Sequence, residues 1–174
     1  MKLTKVERLL LANQYRILSM LEQESAETEY YDRLRQALEY GYESVYEDRI
    51  FRDIFDGLPV EECRFVEQAM ALYWVIQRSY ENLRDKSRID ERHIVFLGFD
   101  GNHETEYMAY ARYYFENEGH FPHLKLGSDR FNSHMPMVDR YRRQLEVWES
   151  MDQNPDLMPH DITTILEVRG GTAR

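Results

Sequence analysis

Apolar residues recur along this chain at the spacing of helices rather than strands. In "TKVERLLLANQYRILSMLEQ", Val6, Leu10, Ile17 and Leu21 fall on one face with Leu9 and Leu18 beside them. Thr4 and Glu7 stand in capping-box spacing at its start, which predicts a first helix from about residue 5. "SAETEYYDRLRQALEYGY" carries Tyr31, Leu34, Ala37 and Leu38 and stops at Gly41, where a left-handed cap belongs. "ESVYEDRIFRDIFDGLP" fits a short helix or an irregular packing segment, ended by Gly57 and Pro59.

From Val60 to about Asp85 lies the most apolar helix-length segment, whose "AMALYWVI", Ala69 to Ile76, has no polar residue. A helix apolar on all sides has to be covered on all sides. The pattern therefore predicts an all-α fold: a single compact domain of about six to eight helices packed around a central apolar helix near residues 60–84. Further helices are predicted from about Asn102 to Glu118, from Pro136 to Met151 with Val138, Tyr141, Leu145 and Trp148 on one face, and over "DITTILEV". A long connection, His120 to His134, separates the first two of these, and residues 169–174 read as a frayed tail after a domain of residues 1–168.

One stretch invites a chemical reading. "IVFLGFDGNHETEYMAY" runs from a strand-like segment, Ile94 to Phe99, through Gly98 and Gly101 into a helix. The spacing G-F-D-G matches neither dinucleotide nor P-loop patterns, and no alternation of strands and helices stands behind it. Asp100, read as the helix N-cap, would repel an anion at the exposed amides. A calcium loop starting at Asp100 fails because Thr105 and Ala111 occupy the glycine and bidentate-acid positions.

Composition narrows the classes further. The 174 residues carry 22 Lys and Arg against 32 Asp and Glu, a net charge of −10, which opposes direct nucleic-acid binding. No signal-length or membrane-length apolar run is present, and the single Cys63, set in an acidic helical segment, reads as structural. A cytoplasmic protein is expected. His103, His120, His123 and His134, with Asp100 and Glu104, offer imidazole and carboxylate donors but lack the helical i, i+4 pairing of a metalloprotease. No metal or cofactor is assigned, and no nucleophile stands beside a base.

"NQYRIL", "IDERHIVFLGFDGNHETEY", "ENEGHF", "FNSHMPM" and "YRRQLEVWE" together resemble the YfbU family of bacterial proteins, over roughly Thr4 to Ile165. The resemblance implies a mainly helical domain of the bacterial cytoplasm with no assigned activity or catalytic residues. In that family the domain is found joined to DNA-binding modules, which suits a regulatory role. The leading expectation is a regulatory or protein-interaction module acting as a homo-oligomer. Its partner or ligand surface is expected among Asp100, Glu104, Asn132, His134, Tyr113 and Trp148, with self-association through the helix from Pro136 to Met151 and the tyrosines Tyr107, Tyr110, Tyr113 and Tyr114. The alternatives are a metal-dependent hydrolase using Asp100, Glu104 and nearby histidines, and a small-molecule sensor with Asn132 and His134 orienting a ligand.

Overall fold

The computed structural model describes residues 2–22, 24–52, 54 and 57–168. The predicted tail, residues 169–174, lies outside them. Seven α-helices appear among the described residues: α1 (Lys5–Leu21), α2 (Ser25–Tyr40), α3 (Glu43–Ile50), α4 (Val60–Asn82), α5 (Thr105–Glu116), α6 (Val138–Ser150) and α7 (Pro159–Leu166). The all-α expectation holds. The chain divides into two compact units, Met1–Asp56 and Gly57–Arg174.

In the first unit α1 and α2 pack as a helical hairpin with α3 against α2. The capping box forms as the sequence dictates: Thr4 Oγ1 accepts from the Glu7 amide at 3.3 Å, and Glu7 Oε2 accepts from the Thr4 amide at 2.7 Å. Gly41 ends α2 at φ +74°, with the Tyr42 amide donating to the Ala37 carbonyl. Arg8 Nη1 donates to the Leu38 carbonyl at 3.0 Å, so α1 ties down an open end of α2. Ala12, Leu38 and Tyr46 form a small core with Leu3, Leu11, Tyr15, Ile50 and Phe51 around them.

The second unit is built on α4. Val66, Ala69, Met70, Leu72, Tyr73 and Ile76 are fully buried, as the unbroken apolar run requires. α5 and α6 pack on it, and α7 packs on α6. Tyr73, Phe96, Phe99 and Tyr141 meet in an aromatic knot, with Phe96 stacked on Tyr141 at 5.4 Å and Phe99 edge-on to Tyr141 at 5.4 Å. The strand-like run at Ile94 to Phe99 forms no strand; it makes isolated parallel bridges, Phe96 to Leu126 and Phe99 to Asn132. Gln77, the polar residue that ends the apolar run of α4, is buried and fully used. Its Nε2 donates to the Ile94 and Lys125 carbonyls at 2.9 and 3.0 Å, and its Oε1 accepts from the Lys125 amide at 2.7 Å.

Candidate functional site

The residues predicted to form a ligand or partner surface near Asp100 converge on a backbone junction. Two irregular segments, 94–104 and 124–137, meet there because Phe131 O accepts from the Phe99 amide at 2.9 Å and Phe99 O accepts from the Ser133 amide at 3.1 Å. Gly98 permits the approach: it sits at φ +82°, and a Cβ there would lie 2.0 Å from the Phe131 carbonyl oxygen. Asn132 Oδ1 accepts from the Gly101 and His134 amides, each at 3.1 Å. Its side-chain oxygen therefore closes the junction.

Asp100 is not the helix N-cap expected of it. The chain makes a further turn over residues 101–103, and α5 starts only at Thr105. Asp100 instead caps that turn, Oδ1 accepting from the Asn102 amide at 3.0 Å and Oδ2 lying 2.7 Å from His103 Nδ1. The Asn102 N–H first, and His103 second, hold the Asp100 carboxyl below its ordinary range.

Glu104 carries the capping role, and for a distant element. Its Oε1 accepts from the Met137 and Val138 amides at 2.9 Å, and its Oε2 accepts from the Met137 amide at 2.9 Å and the Asp100 amide at 3.0 Å. α6 thus starts on a buried carboxylate supplied from 33 residues away, which also complements the positive end of the helix dipole. Both Glu104 oxygens are thus engaged by backbone donors, three N–H groups in all. Among the described residues no group of three or more His, Cys, Asp or Glu side chains is arranged to hold a metal ion.

The remaining predicted residues separate. His134 pairs with Asp129. Tyr113 is half exposed, its hydroxyl donating to Glu118 Oε1 at 2.7 Å. Trp148 is buried, with Nε1 donating to the Asn154 carbonyl at 3.0 Å, so the apolar stripe Tyr141, Leu145 and Trp148 of α6 is consumed inside the second unit and is no partner surface. Two α5 tyrosines turn to α4: the Tyr107 hydroxyl donates to Glu62 at 2.9 Å and that of Tyr110 to Glu67 at 2.6 Å. Burial, then Glu67, pushes the Tyr110 phenol well up. Glu62 also receives Arg142 at 2.6 Å; burial works to raise its carboxyl, but Arg142 and Tyr107 outweigh it and hold it low. The Cys63 thiol, half-buried and donating to the Leu58 carbonyl, is raised chiefly by burial, the state of an unactivated cysteine.

An uncovered apolar face lies elsewhere, on α1. Val6, Leu9, Leu10, Ile17, Leu18, Met20 and Leu21 are between 41% and 78% exposed, while Leu11, Ala12 and Tyr15 face the small core. The periodicity that marked α1 in the sequence therefore points outward. Val6, Leu10, Asn13, Ile17 and Met20 follow steps of four and three, the a/d spacing of a two-helix seam with one asparagine within it.

The YfbU domain matches residues 1–168. The chain belongs to the YfbU family. A UPF0304 protein, MJECS11, of the archaeon Methanocaldococcus jannaschii is 42% identical over 170 residues, covering 94% of this chain and 98% of that protein. The family therefore extends beyond the bacteria implied by the sequence resemblance. In this YfbU domain the stretches that carried that resemblance, "FLGFDG" and "FNSHMPM", are the two sides of the backbone junction. Sequence reading missed Gln77 and the distant reach of Glu104. A lone polar residue ending an otherwise apolar buried helix was the available signal for Gln77. Among the described residues no helix is long and apolar enough to cross a membrane.

Proposed function

We propose that this YfbU-family chain is a regulatory or protein-interaction module that works as a homo-oligomer, its copies meeting through the outer face of α1. The uncovered apolar face of α1 carries this reading. Seven side chains exposed to this degree present on the order of 500 Å² of apolar surface, at the upper end of what a monomer leaves in water. With a polar rim that is about the half-interface of a standard dimer, ~800 Å² per partner. A second copy is the favoured occupant because the seam has self-pairing heptad spacing and closed two-fold association is the commonest assembly.

Energy transfer between two labelled populations tests it, with the dyes on Glu29→Cys in a Cys63→Ser background. Mixing at ~10 µM, a concentration at which micromolar dimers persist, is expected to develop transfer, and Leu10→Glu with Ile17→Glu is expected to abolish it. Absence of transfer in the parent, or its persistence in the double variant, contradicts the proposal.

A further inference from the structure

Unit Met1–Asp56 holds a cluster of cations that its ion pairs do not use. Arg35 is neutralised by Asp32 and Glu39, and elsewhere Arg92, Arg130 and Arg142 each meet a carboxylate. Arg33, Arg49 and Arg52 pair with none among the described residues. All three line two recesses at α2 and α3 that share Tyr30 and Arg49. The first, about 240 Å³, is floored by the buried Leu34 and by Val45, with Arg33, Arg49 and Tyr30 at its sides. The second, about 370 Å³, adds Arg52 and, among the described residues, one acid, Asp48.

We infer that this cleft binds a small organic oxyanion, a carboxylate or a phosphate monoester, whose apolar body rests on Leu34, Val45 and Tyr30. Like charges gathered around a recess repel one another until an anion joins them, and in a chain of net charge −10 three arginines around one recess with no carboxylate partner among the described residues are not a by-product of general basicity. Guanidinium forks match the planar carboxylate and the phosphate edge by paired hydrogen bonds, which an ammonium does not reproduce. Asp48 offsets one positive charge, leaving the lining net positive among the described residues. The two volumes admit a ligand of one aromatic ring and its charged group, near the lower end of small-molecule sites. The inference goes beyond self-association and stands on different residues from the α1 seam.

The test follows arginine Nε–Hε and backbone signals of the labelled full chain by NMR, with phenyl phosphate, benzoate, inorganic phosphate and benzyl alcohol as probes. The expected result is that phenyl phosphate or benzoate shifts Arg33, Arg49 and Arg52 with a Kd below ~1 mM. Inorganic phosphate is expected to bind at least about tenfold more weakly, a loss of ~1.4 kcal/mol of apolar contact, and benzyl alcohol to leave the signals unmoved. Arg49→Gln is expected to weaken binding about tenfold or more and Arg49→Lys by a smaller factor, both with an unchanged thermal melt. Phenyl phosphate against benzoate identifies which oxyanion is preferred. Unmoved arginine signals up to ~10 mM of both organic anions, equal affinity for inorganic phosphate, or undiminished binding by a folded Arg49→Gln would overturn the inference.

Discussion

Glu104 holds Met137: its carboxylate accepts from the Met137 amide through both oxygens at 2.9 Å and thereby begins a helix 33 residues further along the chain. An acid that sequence reading could set beside Asp100 and the histidines as a chemical group is committed to backbone donors. Truncation at Glu104→Ala leaves the Met137, Val138 and Asp100 amides without their acceptor, and each orphaned buried donor costs about 1–3 kcal/mol. We expect a loss of about 3 kcal/mol or more in urea denaturation. Glu104→Gln retains one acceptor oxygen and is expected to lose markedly less. A Glu104→Ala variant as stable as its parent would remove the capping role.

The close approach at Gly98 separates two glycines of similar backbone angle. Both Gly98 and Gly119 lie at positive φ, +82° and +69°, but a Cβ at Gly98 meets the Phe131 carbonyl at 2.0 Å while one at Gly119 meets nothing within 4 Å. Gly119→Ala is expected to cost about 1 kcal/mol, the left-handed backbone alone. Gly98→Ala is expected to cost more than about 3 kcal/mol, because backbone has to move apart and the Phe99 to Phe131 bond with it. Denaturation midpoints of the two variants, measured side by side, check the difference.

Acid titration reports on the turn that precedes Ile94. The Asp90 carboxyl is held down to about 2, chiefly by the Arg92 side chain and then by the Arg92 amide. A carboxyl depressed on folding stabilises the fold above its unfolded value, near 3.8, and the contribution is lost as pH falls toward about 2. Carboxyl NMR titration is expected to find the Asp90 midpoint near 2, and Arg92→Gln to move it upward toward the ordinary range. A midpoint unchanged by that substitution would contradict the pairing.

The asparagine in the α1 seam makes a separate prediction. In the proposed α1 seam Asn13 falls between Leu10 and Ile17, and a polar residue at such a position fixes register at a cost in stability. Asn13→Leu is expected to tighten self-association by about tenfold, ~1.4 kcal/mol, measured by sedimentation equilibrium. Weaker association in that variant would place Asn13 outside the seam.

The local features of the fold were legible because local rules decide them. The Thr4 and Glu7 capping box, the Gly41 stop and the all-apolar centre of α4 each follow from spacing and residue type within a few positions. Asp100 was misplaced by four residues because an Asp before Gly-Asn caps a turn as readily as a helix, and the true N-cap position is Glu104. Glu104 and Gln77 were opaque because their partners lie far along the chain. Periodicity showed that α1, α5 and α6 are apolar on one side, but not what covers that side. The Trp148 stripe is enclosed, Tyr107 and Tyr110 of α5 find Glu62 and Glu67, and the Val6 to Leu21 face stays open.

Light scattering on a sizing column, run at ~50 µM for the parent, for Leu10→Glu with Ile17→Glu and for Tyr113→Glu, tests that open face most directly. A dimeric mass is expected for the parent and for Tyr113→Glu, and a folded monomer for the α1 double variant, because charge placed in an apolar seam removes the gain from burying it. A monomeric parent, or a double variant that stays dimeric, would contradict association through α1.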